Sequence, residues 1–369
     1  MHCQNKKILG IIEGFYGKPW SWNARNDYIN YLPNVGLGSY IYAPKSDKKL
    51  RSNWADLWTT EELINLKNCS INFKSNGLDF GIGFSPLSLV GQDLSTKNGK
   101  ILLEKLSMKL KQIAQIQPDI FCILFDDLTY PGEDMVKSQL WLCDFIFSNI
   151  RVKKFIICPS YYSTDPVLEN IFGPMPINYW YDLGKGLDSQ VDFFWTGENV
   201  CSEDFNENNL DFIAERFARL PVLWDNYPVN DGQKLSRFLR LKPFVRDKVI
   251  IDMSAGHIAN PMNQPYLSQL SLSTLSNLYK DDRSKNINEK IDKDYFIWKK
   301  FAVSNLGEDL AELFFINIDN FSSKGLDGLS SDEKDSLKKE FELFRHPCVI
   351  ELIDWLNEKY KFDPTCLTS

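Results

Sequence analysis

Histidine is scarce: His2, His257 and His346 are the only three in 369 residues. His2 is terminal and His346 lies in a helical stretch near the C-terminus, so little material exists for a serine–histidine–aspartate triad or a histidine-rich metal site. Phosphate-cradling glycine loops and dinucleotide fingerprints are missing, so neither a cofactor nor a metal is expected. Long apolar runs are missing too. The N-terminal apolar segment is broken at Glu13, too short for a secretory core, and nothing approaches the ~18 apolar residues of a membrane span. No membrane association is therefore expected, and the expected compartment is the cytoplasm. A basic excess is also lacking: 42 Lys plus Arg face 49 Asp plus Glu, for a net charge of -7. Nucleic acid is not the expected partner. The eight cysteines are scattered without close pairs, and read as reduced thiols rather than a disulfide or zinc framework.

What is present is an ordinary globular composition, 43% hydrophobic and 25% charged. The aromatic share of 14% fits either an aromatic-lined cleft or a well-filled core. Short apolar runs recur at Ile8–Ile12, Ser39–Ala43, Phe80–Phe84, Ile120–Phe125, Phe155–Cys158, Asp192–Trp195 and Pro221–Trp224. A last one falls within Val249–Asn260, where Val249–Asp252 and Gly256–Asn260 compete. Their spacing, roughly 30 to 40 residues, is that of a strand–helix unit, and near-continuous apolar strands suit a parallel sheet buried on both faces. Helix signals lie between them. Thr59 and Glu62 make a capping box, Ile101–Ile116 carries helical spacing up to Pro118, and Glu133–Ile150, Asn208–Leu220 and Gly232–Leu241 read likewise. Eight such units favour a closed (β/α)8 TIM barrel over an open doubly wound sheet. A polar stretch from Lys280 to Asp294 precedes helical patterns at Tyr295–Leu306, Glu308–Phe321 and Ser331–Tyr360, broken by Gly325 and Gly328. The expected division is a catalytic barrel over residues 1–283 and a small C-terminal helical module over 284–369.

Reactive groups of such a barrel sit where strands run into loops. Those positions hold Glu13-Gly14-Phe15-Tyr16-Gly17-Lys18-Pro19-Trp20, Pro44-Lys45, Asp126-Asp127, Pro159-Ser160-Tyr161-Tyr162, Trp195-Thr196-Gly197, Trp224-Asp225-Asn226 with Asn230-Asp231, and Asn260-Pro261. Burial and like charge should raise at least one carboxyl pKa of the Asp126-Asp127 pair, separating an acid from an anion. Glycosidic cleavage needs such a division. Taken singly, each residue has a plainer reading: a helix-capping or metal-binding Asp pair, a surface Lys45, turn residues at Asn226, Asp231 and Asn260, and core packing at Trp195 and Trp224. Their joint placement at successive strand ends is what points to a site.

At these strand ends the chain resembles glycoside hydrolase family 84, the β-N-acetylglucosaminidases that include protein O-GlcNAcases. The stretches that carry the resemblance are Ile12–Trp20, Tyr40–Lys45, Leu124–Asp127, Cys158-Pro159, Trp195–Gly197, Trp224–Asn226 and Asn260-Pro261, in family order. The resemblance implies a retaining, exo-acting enzyme in which the substrate's 2-acetamido oxygen attacks the anomeric carbon and forms an oxazoline. By the same matching Asp126 would polarise the acetamido N–H, and Asp127 would serve as acid and then base. Tyr162 would bond the acetamido oxygen, while Cys158, Thr196 and Trp224 would shape the acetyl pocket. Gly14, Lys45, Asn226, Asp231 and Asn260 would hold the sugar's hydroxyls and reacting region. The implied partner is a GlcNAc-bearing glycoconjugate, glycoprotein or oligosaccharide.

Two departures from the family pattern stand out. Ser160-Tyr161 precedes Tyr162, so either tyrosine could serve, with Tyr162 favoured by spacing. Glu198-Asn199 replaces the usual proline after Gly197, on the aglycone side. The chain starts almost at the first strand, so the N-terminal domain of several bacterial members, carbohydrate-binding modules and polymer anchoring are not expected. Two other readings are hyaluronidase-type endo-cleavage, for which an acidic protein suits a polyanion poorly, and a non-catalytic N-acetyl-sugar-binding barrel, which has no use for a buried acid.

Overall fold

The structure is a computed structural model that describes residues 7–129, 132, 134–280 and 287–367. Strands β1 (Ile8–Glu13), β2 (Ser39–Tyr42), β3 (Asp79–Phe84), β4 (Ile120–Leu124), β5 (Lys154–Cys158), β6 (Asp192–Trp195), β7 (Val222–Asp225) and β8 (Gly256–Ala259) follow in order. Each pairs in parallel with its sequence neighbour, and β8 pairs with β1, so the sheet closes into a (β/α)8 barrel. Every residue of β2, β4, β6, β7 and β8 is buried. Side chains on one face fill the barrel and those on the other meet the helices, which is why these strands read as continuous apolar runs.

Most outer helices follow the sequence signals. Thr59 caps the helix Thr60–Ser75, its side chain accepting from Glu62 N while the Glu62 carboxylate accepts from Thr59 N. The helices Lys97–Ala114, Met135–Asn149 and Glu207–Phe217 fall near their expected positions; Glu133, the expected start of one, lies outside the described residues. Of the two candidates for the last strand, Gly256–Ala259 is the strand and Ile250–Met253 a helical turn.

The expected helix Gly232–Leu241 does not form. Only one turn, Leu235–Arg237, is helical. The segment instead runs along the C-terminal helices: Leu239 N donates to Phe321 O, Trp355 Nε1 to Ser236 O, and Arg237 pairs with Asp327 and Glu358. Leu239 and Leu241 are completely buried there, so tertiary packing overrides the local pattern.

Past the expected boundary at 283/284, which lies outside the described residues, the helices Ile287–Leu306, Glu308–Ile316, Ser331–Phe341 and Pro347–Leu356 follow. The pattern over Ser331–Tyr360 is thus two helices. Pro347 opens the second, and the His346 side chain caps it. They form a second core that takes in Leu239, Leu241, Met262, Leu267 and Leu270 from the barrel's last loops. Glu351 anchors it, accepting from Tyr266 N at 3.1 Å and Leu267 N at 2.9 Å at the head of the helix Pro265–Leu272. None of the seven described cysteines is in a disulfide. No helix among the described residues is long and apolar enough to cross a membrane.

Candidate active site

The strand ends meet in one cavity. At its floor, β4 ends at Leu124. In a continuing strand Asp126 and Asp127 would point to opposite faces. Asp127 instead has φ 64°, a left-handed backbone uncommon outside glycine, tolerated by a side chain this short and found at functional positions. That twist breaks the alternation, and both carboxylates line the same pocket.

Cations surround the pair. The Lys45 ammonium bonds Asp126 Oδ2 and stands 3.7 Å from Asp127 Oδ2, its side chain only 4% exposed. Lys45 is therefore no surface lysine. Arg51 donates to Asp127 Oδ2 at 3.0 Å, and the Tyr16 hydroxyl donates to the same oxygen. The second oxygen of Asp126, Oδ1, is buried without a partner among the described residues. Two cations already in contact make the pair a poor host for a metal ion, and no described group of three or more His, Cys, Asp and Glu could hold one.

The expectation of a raised carboxyl pKa meets the opposite result at Asp127. Burial pushes its pKa up, but Lys45, Arg51 and the Tyr16 hydroxyl more than offset that, and it lies below the ordinary value. The field of two cations wins over desolvation and over the neighbouring carboxylate. Across the pocket, Asp231 goes the other way. Burial raises it to about 6, although Tyr16 N donates to its Oδ2 at 2.7 Å.

Behind the strand ends, buried ion pairs fix the loops. Glu13 closes β1 with its carboxylate turned outward, accepting from Arg25 NH2 at 2.6 Å, Arg25 Nε at 2.8 Å, Tyr40 OH and Trp20 N. This holds the turn that carries Gly14 and Tyr16. Asp225 does the same for β7, paired with Arg246 Nε at 2.8 Å and His257 Nε2 at 3.0 Å. Burial raises and these partners lower its pKa, with a net value of about 2. With Asp225 outward, Trp224 and Asn226 face the pocket.

The asparagines join four loops. Gly14 N donates to Asn260 Oδ1, Asn260 Nδ2 to Asn226 Oδ1, and Asn226 Nδ2 to Val200 O, at 3.2, 3.0 and 2.7 Å. Trp224 Nε1 shares the Asn226 oxygen at 3.0 Å. Gly14 has to be glycine, since a Cβ there would meet Trp224 Cζ2 at 2.6 Å. Thr196, whose hydroxyl donates to Asn199 O, and the buried Cys158 complete the wall.

All the residues singled out above as candidates line this pocket. Other strand-end residues do not. Tyr161 turns away, its hydroxyl donating to Gly173 O, while Tyr162 lines the cavity. Trp195 is core, bonded to Asn209, and Asn230 ties Phe238 to Gln264. The lining also includes Val200, Cys201, Val229 and Cys366, and Arg51 touches the pair from behind. Tyr16 stood within a quoted motif without a role, and Arg51 lay in the loop after Lys45. Cys366, far along the chain, carried no sequence signal.

The profile of the β-N-acetylglucosaminidase family matches residues 9–314. Protein O-GlcNAcase of Mus musculus is 27% identical over 285 residues and that of Rattus norvegicus 26%. Each alignment covers 74% of this chain and 30% of the relative, so the chain spans about 30% of the length of the curated relatives it matches. A solved O-GlcNAc hydrolase mutant of Thermobaculum terrenum superposes with TM-score 0.72 at 27% identity, over 96% of this chain and 81% of that one.

Proposed function

The chain belongs to the β-N-acetylglucosaminidase family, and from that premise we propose that it hydrolyses terminal β-linked N-acetylglucosamine with retention, the substrate's own acetamide acting as nucleophile. The observation that carries this reading is Asp126 Oδ1, a buried carboxylate oxygen without a partner among the described residues. Such an oxygen costs about 1–3 kcal/mol unless a donor reaches it. An acetamido N–H is such a donor. Accepting it makes the acetamido oxygen more nucleophilic, and Tyr162 orients that oxygen toward the anomeric carbon.

As the acetamido oxygen bonds to the anomeric carbon, the bond to the leaving oxygen breaks and Asp127 supplies that oxygen's proton. Water then adds to the oxazoline, Asp127 takes a proton from it, and the acetamide is restored. The substrate-assisted route is one of the known exceptions to double displacement. It also gives two neighbouring carboxylates work on one side of one sugar.

Asp127 must be protonated for the first step, and Lys45 and Arg51 oppose this. A bound sugar offers Lys45 hydroxyls to bond. With Lys45 turned toward the sugar, burial, the largest influence on Asp127, favours the protonated form. Asp231, anionic at neutral pH, accepts from sugar hydroxyls. The substrate is a glycoconjugate, glycoprotein or oligosaccharide that ends in N-acetylglucosamine.

The test is hydrolysis of fluorogenic β-GlcNAc, with β-glucose and trifluoroacetamido counterparts alongside. Turnover of the first, none of the second and sharp slowing of the third support the reading. Equal rates on acetamido and trifluoroacetamido substrates would remove the acetamide from the mechanism. Asp127→Asn, which keeps a residue at ease with a left-handed backbone, should cost about 10²–10⁴-fold on poor leaving groups and far less on activated aryl glycosides.

A further inference from the structure

A late segment of the chain forms part of the pocket wall. The helix Pro347–Leu356 ends at Asn357, and Glu358 turns the chain back with φ 56°. Glu358 pairs with Arg237 of the loop after β7 at 3.0 Å. Lys18 of the loop after β1 lies over the Tyr360 ring, 5.2 Å from its centroid. Asp363 then closes a tight turn. Its Oδ1 accepts from Thr365 N and Oγ1, and its carbonyl accepts from Cys366 N at 3.0 Å. The turn delivers Cys366, 7% exposed, into the lining of the pocket that holds Asp126 and Asp127.

The loops gripped by this segment identify the side it closes. The same two loops, after β1 and β7, are joined inside the pocket by Tyr16 N and Asp231 Oδ2. Asp231 belongs to the hydroxyl-binding side in the functional reading, opposite the carboxylates that work at the anomeric carbon. In a pyranose ring C4 lies across from C1. A sugar with its anomeric carbon at Asp126 and Asp127 thus directs its C4 hydroxyl toward Asp231 and the wall beside it.

We propose that the segment from Glu358 to Cys366 closes the pocket behind the far end of the sugar and confines this chain to residues unsubstituted at O4. The wall makes it a remover of end units, since a chain continuing from O4 would have to pass through the tail. The inference rests on the β-N-acetylglucosaminidase reading above and adds which part of this chain excludes internal residues.

The test compares the full chain with a version ending at Lys361 on two fluorogenic glycosides, plain β-GlcNAc and the same sugar carrying galactose on O4. The full chain should release fluorophore only from the plain one. Opening the wall should raise the ratio of capped to plain kcat/KM about tenfold or more, the scale of steric exclusion from a pocket. In the full-length chain, Cys366→Trp should raise KM for the plain glycoside about tenfold with little change in kcat, because a thicker wall crowds bound sugar and transition state alike. A folded shortened chain that still cleaves the plain glycoside and rejects the capped one as strictly as before overturns the proposal. Should the shortened chain not fold, an unchanged KM in Cys366→Trp overturns it. If the full chain leaves plain β-GlcNAc untouched, the functional reading itself fails and this inference falls with it.

Discussion

Arg51 and Asp127 meet guanidinium to carboxylate at 3.0 Å, although 76 positions separate them in the chain. The contact ties the loop after β2 to the turn after β4 and favours the charged form of the proposed acid. A neutral residue at 51 should therefore raise the Asp127 pKa. The protonated form is the one that donates, so the alkaline limb of kcat, which reports the enzyme–substrate complex, should move to higher pH, by about one unit for a single adjacent charge. Arg51→Met checks this on an aryl glycoside across pH. An alkaline limb at the wild-type position would remove Arg51 from control of that proton.

Asp231 gives a second pH dependence, in binding. Its carboxyl lies at about 6 because it is buried, and the form that accepts sugar hydroxyls is the anion. As pH falls through 6 the anion is lost, so affinity for N-acetylglucosamine, measured as a competitive inhibitor, should drop with it and recover above. Asp231→Asn should lower that affinity at every pH and erase the step near pH 6. A step that persists in the variant would assign it to another group.

Gly14→Ala places a methyl group against the Trp224 indole, which also bonds Asn226. Overpacking of this kind costs about 1–3 kcal/mol, read as a lower unfolding midpoint. The displaced indole and asparagine should cost activity about a hundredfold, as misplaced binding groups do. Near-wild-type turnover would show that the wall yields without harm.

Arg25→Met leaves the Glu13 carboxylate buried without its cation. Breaking such a pair costs about 3–5 kcal/mol. The thermal midpoint should fall accordingly, whereas Arg25→Lys should recover only part, for want of the second hydrogen bond.

Much of this was legible from the residues. The eight strands appear as apolar runs because each is covered on both faces, and the pocket residues stand at the ends of those runs, where the barrel must put them. The fate of Gly232–Leu241 was not legible. Its apolar spacing suits a helix, and only helices a hundred positions away decide that it stays extended. The direction of the Asp127 shift was hidden for a similar reason. Adjacent aspartates predict repulsion, while Lys45 and Arg51 come from another loop, and the left-handed turn that lets both carboxylates face inward leaves no mark in the residue names. Tyr16 stood in plain view without a partner to give it a role.

Glu351 has a practical corollary. Its carboxylate receives two amides at the head of the helix that directly follows the Asn260 loop, so the distal helices are a structural component of the catalytic mouth. Trimming the protein to its barrel would strand those amides and bare Leu267 and Leu270 to water. A minimal fragment cut after the helix Pro265–Leu272 would lose this support beside the residues it was meant to isolate, and crystallographic or screening work has to carry the whole assembly.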